Sequence, residues 1–202
     1  MTAFFLIRHA LCDPVGKRIV GRLPGIPLNA EGRAQAARLG ERLGAVHFDA
    51  IVSSPLDRAR ETAGAIALRQ AAAVVTDERI IEFDFGDWTG AEIAALADDA
   101  RWQRFNRFRS GTRAPDGESM ADVQHRAVRL LESLAYIHPA GRIAVVSHLD
   151  VLRAALCHYL GMPLDHYDRL DLGPASVTIL EVTEWGARLV RLGDTGELPG
   201  MP

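Results

Sequence analysis

Apolar and polar positions along the chain form blocks that predict strands separated by helices. The apolar run at residues 2–7 predicts a buried strand that ends on Arg8 and His9. DAIVSSP, AAVVTD and RIAVVSH are further apolar runs of strand length, and the last one ends on His148. ASVTILEV and ARLVRLG, on either side of residues 183–186, predict a terminal hairpin. Strands that alternate with helices predict an α/β domain with a mostly parallel central sheet.

Capping and breaking residues predict where the helices begin and end. Asn29 is predicted to cap the helix in LNAEGRAQAARLGERLG, which Gly44 ends. Ser54 as the cap and Pro55 at the first position are predicted to open a second helix. LDVLRAALCHYLGMP predicts a helix that ends at Gly161.

The regular alternation of strands and helices stops at residues 84–118, which we predict to be a helical and loop insertion beside the strand ends. It contains the predicted helix AEIAALADDARWQRFNRFRS and precedes the long predicted helix MADVQHRAVRLLESLAYI. The favoured interpretation of the first helix is an aromatic stripe on the core with a solvated basic face. The alternative is an arginine-lined lid above an anionic substrate. The residues concerned are Arg101, Arg104 and Arg107, beside Trp102, Phe105 and Phe108.

Length and composition narrow the class of protein. The 202 residues suffice for one domain with a real core, predicted over residues 1–193, followed by a flexible tail at 194–202. The net charge of -3 argues against a nucleic-acid partner, and no apolar run approaches the ~20 residues of a membrane span. Cys12 and Cys157 lie far apart, so we expect no disulfide framework and a reducing cytoplasm. The sequence carries no signal of an oligomeric state.

Five side chains that can do chemistry are predicted to meet at one edge of the sheet. Ligands of open α/β sheets bind beyond the carboxyl ends of the strands. Arg8 and His9 end the first strand, Arg58 follows the second, Glu82 follows the third, and His148 ends the fourth. A transferring phosphoryl group would use this set, because its oxygens need fixed positive partners and a neutral imidazole is a competent nucleophile.

Each group in this set has a predicted protonation state. The charges around His9 are expected to lower its pKa and keep it neutral. A protonated second histidine, His148, would stabilise the transferring oxygens, and a carboxylic acid would protonate the departing alcohol. Glu82 and Asp84 compete for that acid role, and the spacing E-x-x-x-G-x-W favours Glu82.

Six segments in order carry a resemblance to a known family: LIRHA, GRLPGIPLNAEGRAQA, SSPLDRARETA, IIEFDFGDWTG, PDGES and VVSHLDVLRAAL. From residue 4 to about 182 the chain resembles the histidine phosphatase superfamily, the phosphoglycerate mutase-like group, on its small phosphatase branch. The resemblance implies a three-layer sandwich with a helical lid insertion. It also implies a metal-independent phosphomonoester hydrolase that needs no cofactor and acts on a small phosphorylated substrate, without a membrane or nucleic-acid partner. It implies His9 as the phosphorylated nucleophile, Glu82 as the proton donor, and Arg8, Arg58 and His148 as phosphate-pocket residues.

The chain departs from the family pattern at a few positions. Ala10 replaces the glycine of R-H-G, which we expect to be tolerated unless the backbone there needs a positive φ. SHLD replaces S-H-G-G, and its Asp150 is predicted to orient either His148 or a substrate group. The long insertions of glycolytic mutases are absent, which favours a phosphatase. Mutase-type phosphoryl transfer and a non-catalytic phosphate-binding regulatory module remain the alternatives.

Cys12 and Arg18 offer a competing hypothesis, because they have the C-x5-R spacing of a thiol phosphatase loop. Such a loop needs successive backbone N–H groups that point at phosphate, and Pro14 removes one of them. No predicted strand ends immediately before Cys12, and the residue after Arg18 is Ile19 rather than a hydroxyl residue. The sequence therefore favours His9 over Cys12 as the nucleophile.

Overall fold

The central feature of the fold is one six-stranded sheet in a computed structural model that describes residues 1–13, 16–70 and 72–196. Its strands run in the order β3-β2-β4-β1-β5-β6. The first four strands in this order are parallel, whereas β5 pairs antiparallel with β1 and β6 pairs antiparallel with β5. The predicted α/β class and the terminal hairpin are therefore confirmed. The strands are β1 (Thr2–Arg8), β2 (Ala50–Ser53), β3 (Val74–Thr76), β4 (Arg142–Ser147), β5 (Val177–Thr183) and β6 (Gly186–Asp194).

Helices cover both faces of the sheet and make a three-layer sandwich. Successive side chains of a strand point to opposite faces. Phe4 and Leu6 of β1 accordingly pack in a cluster with α4 and α5, while Phe5 and Ile7 pack in a second cluster with α1 and α2. The helices are α1 (Ala30–Leu43), α2 (Asp57–Ala67), α3 (Ala100–Arg107), α4 (Met120–Ile137) and α5 (Leu149–Tyr159). No helix within the described residues is both long and apolar enough to cross a lipid bilayer.

The helix starts follow the capping signals in one case and not in another. The side chain of Asn29 accepts the backbone N–H of Gly32 at 2.8 Å, as predicted, and α1 ends just before Gly44. The prediction for α2 is wrong, because this helix begins at Asp57 and its cap position has no side-chain hydrogen bond. The hydroxyl of Ser54 instead lies 2.7 Å from Nε2 of His148. The same hydroxyl accepts the backbone N–H of Leu56 at 3.4 Å, ahead of the first residue of α2, so it does not cap the helix.

The insertion at residues 84–118 contains shorter helical pieces than predicted. A 3₁₀ turn at Ile93–Leu96 precedes α3, and a second one at Arg109–Gly111 follows it. The aromatic stripe is confirmed for Trp102 and Phe105, which pack against the core, but it is wrong for Phe108, which is 45% exposed. The basic face is solvated as expected, since Arg101, Arg104 and Arg107 are all exposed.

The far end of the chain is described only in part. Strand β6 extends to Asp194, whose carboxylate lies 3.9 Å from Nη2 of Arg42 in α1. The predicted flexible tail spans residues 194–202, and positions 197–202 of that tail lie outside the described residues.

Candidate active site

Two histidines from adjacent parallel strands meet at the carboxyl edge of the sheet. His9 directly follows β1, and His148 directly follows β4. The backbone N–H of His9 donates to the carbonyl of Ser147 at 2.9 Å. The two imidazole rings lie with their centroids 5.1 Å apart, and both side chains are buried. The carboxyl ends of β1 and β4 thus form the floor of a cleft.

The hydrogen bond of His9 determines which ring nitrogen is free. Nδ1 of His9 lies 2.7 Å from the carbonyl oxygen of Ala10. A carbonyl can only accept, so Nδ1 carries the proton and the lone pair of Nε2 is free. Burial, followed by the charge of Arg58, lowers the pKa of His9 to about 3. His9 is therefore neutral at physiological pH, and the predicted direction of this shift is confirmed.

Ala10 fits the space where the family pattern has glycine. Its backbone lies outside the positive-φ region, and its methyl group is fully buried. Its N–H donates to the hydroxyl of Thr62 at 3.0 Å, while its carbonyl holds the ring of His9. The expectation that alanine is tolerated here is met, because no left-handed backbone is required.

Arg8 and Arg58 line the cleft with donors that remain available to a ligand. One guanidinium nitrogen of Arg8 donates to the carbonyl of Leu172 at 2.6 Å, and one of Arg58 donates to the carbonyl of Gly21 at 2.8 Å. Nε of Arg8 and Nη1 of Arg58 are buried without a hydrogen-bond partner among the described residues. Burial lowers the pKa of both guanidiniums. The two fixed guanidinium groups therefore suit an anion that supplies several oxygens.

His148 is a buried histidine whose environment favours the neutral form in the free site. Burial, and after it the neighbouring His9, lowers the pKa of His148 well below its ordinary value. Its Nε2 contacts the hydroxyl of Ser54, and its buried Nδ1 has no hydrogen-bond partner in the described part of the chain. Nδ1 lies 3.7 Å from Oε2 of Glu82. His148 is thus a neutral ring in the free site. The imidazolium was predicted for the site with a transferring phosphoryl group bound, and it stays a prediction.

Glu82, and not Asp84, places its carboxyl group in the cleft beside the two histidines. Burial, and after it the charge of Asp150, raises the pKa of Glu82 to about 7. A group with this pKa can both give and take a proton near neutrality. Asp84 instead accepts the backbone N–H of Gly86 at 3.0 Å and lies 3.4 Å from Nη1 of Arg22. The side chain of Asp84 is thus engaged in the loop rather than in the cleft.

The backbone of Glu82 is held by two arginines that share one carboxylate. The carbonyl of Glu82 accepts Nε of Arg22 at 2.9 Å and Nη2 of Arg126 at 3.1 Å. Glu118 pairs with Arg22 at 2.8 Å and with Arg126 at 3.0 Å. Our sequence predictions did not include this role. The PDGES segment that contains Glu118 was the available signal, but it does not reveal the two partners.

Cys12 lies in the wall of the cleft, in an environment unsuited to a nucleophilic thiolate. Its side chain is 1% exposed, and burial raises the pKa of its thiol. Arg18 donates to the backbone carbonyl of Gly90. Pro14 and Val15, on which the thiol-loop hypothesis partly depends, lie outside the described residues. Within residues 1–13, 16–70 and 72–196, no three His, Cys, Asp or Glu side chains are grouped to hold a metal ion.

The comparison with known families identifies the class of protein to which this site belongs. The sequence profile of the histidine phosphatase superfamily (branch 1) matches residues 4–195. The chain belongs to this superfamily. The histidine phosphatase fold thus accounts for the sheet and its flanking helices, and the resemblance seen in the six sequence segments is confirmed.

Individual members of the superfamily resemble the chain over nearly its whole length. The chain is 32% identical to phosphoserine phosphatase 1 of Hydrogenobacter thermophilus, with 98% of this chain and 95% of the relative covered. It is 30% identical to a probable phosphoglycerate mutase of Salmonella arizonae, with 91% and 86% covered. A phosphoserine phosphatase variant from Entamoeba histolytica, solved in complex with phosphoserine, superposes with a TM-score of 0.87 at 29% identity, covering 98% of this chain and 100% of that one. A phosphomonoester hydrolase fits these findings, and the mutase alternative has less support.

Proposed function

We propose that this histidine phosphatase hydrolyses a small phosphomonoester in the cytoplasm through a phosphohistidine intermediate on His9. The observation that supports it best is the contact between Nδ1 of His9 and the carbonyl of Ala10. It leaves the lone pair of Nε2 free in a ring whose pKa is about 3. A nucleophile that is already neutral needs no base to activate it. Two free and buried cysteine thiols, Cys12 and Cys157, support a reducing compartment.

In the first step, Nε2 of His9 attacks phosphorus in line and the ester oxygen leaves. Arg8 and Arg58 bind the equatorial oxygens, whose charge spreads in the transition state. Because these two guanidiniums supply positive charge, the step needs no metal ion. His148 donates an N–H to the same oxygens. Glu82, protonated at this stage, delivers its proton to the leaving alcohol oxygen.

In the second step, water hydrolyses the phosphohistidine. Glu82 is now a carboxylate and takes a proton from the attacking water, so the acid and the base are the same group in two states. A pKa of about 7 suits both roles. The products are an alcohol and inorganic phosphate, and His9 returns to its neutral form.

Replacing His9 with Ala tests the nucleophile. We expect His9→Ala to lower kcat for p-nitrophenyl phosphate by at least about 10³-fold, because the covalent route is lost. The matched control is His158→Ala, which removes an exposed imidazole from α5. Rapid denaturation during turnover should trap an acid-labile, alkali-stable phosphoprotein in the wild type and not in His9→Ala. Turnover by His9→Ala at the rate of the control would refute the mechanism.

The mutase alternative makes a different product. A mutase returns the phosphoryl group from histidine to the bound alcohol, whereas a phosphatase passes it to water. Incubation with 3-phosphoglycerate should therefore release inorganic phosphate rather than form 2-phosphoglycerate. Binding of a phosphorylated metabolite without release of phosphate would instead indicate the regulatory module.

A further inference from the structure

Ser54 lies beside His148 because the strands that precede them are neighbours. It follows β2 as His148 follows β4, and these strands pair in parallel with Ser53 opposite Val146. The backbone N–H of Ser54 donates to the carbonyl of Val146 at 2.9 Å. Its side chain is fully buried, like that of His148. The sheet therefore places the hydroxyl of Ser54 against one ring nitrogen of His148 before any substrate binds.

The contacts of the Ser54 hydroxyl decide where its proton points. Its oxygen accepts the backbone N–H of Leu56 at 3.4 Å and lies 2.7 Å from Nε2 of His148. In the part of the chain that the structure describes, Nε2 is the one atom within hydrogen-bond distance that can accept the hydroxyl proton. A buried donor without an acceptor is destabilising. The hydroxyl therefore donates to Nε2, which leaves the proton of the neutral ring on Nδ1.

The opposite tautomer of His148 fits these contacts less well. With the ring proton on Nε2, the hydroxyl of Ser54 would accept it and would leave its own proton without a partner. Nδ1 would then carry a lone pair that faces Oε2 of Glu82, 3.7 Å away. That separation is too long for a hydrogen bond from a protonated carboxyl group. The contacts thus favour an N–H at Nδ1.

The two histidines of the site are held by different kinds of partner. Nδ1 of His9 donates to the carbonyl of Ala10, so its remaining nitrogen carries a lone pair. Nε2 of His148 accepts from the hydroxyl of Ser54, so its remaining nitrogen carries an N–H. Phosphoryl transfer needs a nucleophile and also a donor to the developing charge. Two neutral imidazoles thus take complementary roles because their partners differ.

Asp150 was the other group expected to orient His148 or a substrate group. Its side chain lies in the first turn of α5 and makes no hydrogen bond or ion pair within the described residues. The ring of His148 is instead contacted by Ser54, across two neighbouring strands.

We propose that Ser54 is a positioning residue for His148. Its hydroxyl donates to Nε2 and thereby holds the proton of the neutral ring on Nδ1, from which it is donated to the phosphoryl oxygens. The effect of Ser54 on catalysis rests on the proposed phosphatase function, whereas the tautomer of His148 is a property of the free protein.

NMR of the imidazole nitrogens measures this tautomer without substrate, because a bare ring nitrogen and an N–H nitrogen give well-separated signals. The signals that disappear in His148→Ala identify the ring. We expect Nε2 of His148 to be unprotonated in the wild type and to shift towards the protonated signal in Ser54→Ala. Ser54→Thr keeps the hydroxyl and should restore the wild-type signal.

Ser53→Ala is the matched control for the loss of a buried serine hydroxyl. Ser53 is also fully buried, and its hydroxyl donates to the carbonyl of Ser54 at 2.8 Å rather than to a ring. This substitution should leave both the signals of His148 and the kcat for p-nitrophenyl phosphate unchanged.

A double-mutant cycle tests whether Ser54 acts through His148. One donor aimed at developing charge contributes about 10²–10³-fold to kcat. Ser54→Ala removes that donor only from molecules with the wrong tautomer, so kcat should fall about tenfold with little change in KM. In His148→Ala no ring remains to be oriented, so the same substitution should change kcat less than about twofold.

Two results would overturn the assignment of Ser54. One is a protonated Nε2 of His148 in the free wild type, and this measurement decides the question even if Ser54→Ala fails to fold in a thermal melt. The other is a loss of about tenfold on Ser54→Ala that persists in His148→Ala, since that indicates a structural role alone. A failure of the proposed function looks different, because the wild type would then release no phosphate from p-nitrophenyl phosphate, whatever the tautomer of His148.

Discussion

Replacing Glu82 with Gln removes the proton that we assign to the leaving oxygen while it keeps the size of the side chain. Burial and Asp150 hold the pKa of Glu82 at about 7. About half of the molecules therefore carry the proton at about pH 7, and about one tenth carry it at about pH 8. An alkyl alkoxide leaves poorly without that proton, so Glu82→Gln should slow its departure about 10²–10⁴-fold. A nitrophenolate leaves readily on its own, so the loss with an aryl ester should be below about tenfold.

The assay is formation of phosphohistidine in a single turnover, measured with an alkyl and an aryl phosphate from about pH 5 to about pH 9. For the wild type and the alkyl ester, the rate should be flat below about pH 6 and fall about tenfold per pH unit above about pH 8. His9 adds no further change to the pH–rate profile in this range, because its pKa is about 3. The control is Asp87→Asn, an exposed carboxylate changed to its amide in the same way. Equal losses on both esters, or a wild-type rate that stays flat to about pH 9, would refute the reasoning.

The pH dependence of thermal stability provides an independent test of Glu82→Gln. The pKa of Glu82 rises from 4.5 to about 7 on folding, so its protonated form is favoured in the fold. The wild type should therefore lose stability as pH rises from about 4.5 to about 7, by up to about 3 kcal/mol, and the loss should be complete above that range. Glu82→Gln lacks this titration, so its Tm relative to the wild type should increase over the same interval. A variant that is inactive yet more stable at about pH 8 cannot owe its inactivity to unfolding.

Two further changes test the support of the site. Glu118→Gln should lower the free energy of unfolding by about 1–3 kcal/mol, because Arg22 and Arg126 lose the carboxylate they share. It should also lower kcat more than it changes KM. Urea unfolding that matches the wild type would contradict this prediction. Phe105→Ala should lower the free energy of unfolding by about 3–5 kcal/mol, since Phe105 is fully buried among aromatic rings of the insertion and the adjacent loop; a loss in urea below about 1 kcal/mol would show that this packing is not tight.

The sequence predicted a helix correctly where the capping residues interact with the same helix in the structure. The predicted helix MADVQHRAVRLLESLAYI coincides with α4 at Met120–Ile137, because Ser119 and Asp122 form a reciprocal capping box ahead of a periodic apolar face. The start of α2 could not be predicted in this way. The hydroxyl of Ser54 contacts His148, 94 positions further along the chain, and no local rule contains that partner.

The difference between local patterns and contacts of residues distant in sequence also explains which site residues could be predicted. Arg8, His9 and His148 end apolar runs, so the strand pattern alone brings them to one edge of the sheet. Arg109, a buried arginine that also lines the cleft, has no such signal, since it is one of four arginines in RWQRFNRFRS. Its burial depends on the ring of Tyr167, which is distant in sequence. The pKa of His148 in the free site could not be predicted for a related reason, because the burial that lowers it depends on tertiary packing.

The pairing of β1 with β4 has a consequence for how this site can vary. Arg8 is in register with Ser147, so His9 and His148 are the next residues on two neighbouring strands. Their rings lie 5.1 Å apart, close to the 4.7–4.9 Å that separates any two strands of a sheet. The sheet therefore sets the distance between the two backbone positions, and the contacts with Ala10 and Ser54 orient the rings. A slip of one residue between these strands would turn one ring to the opposite face, whereas the outer wall of the cleft can change without altering that distance.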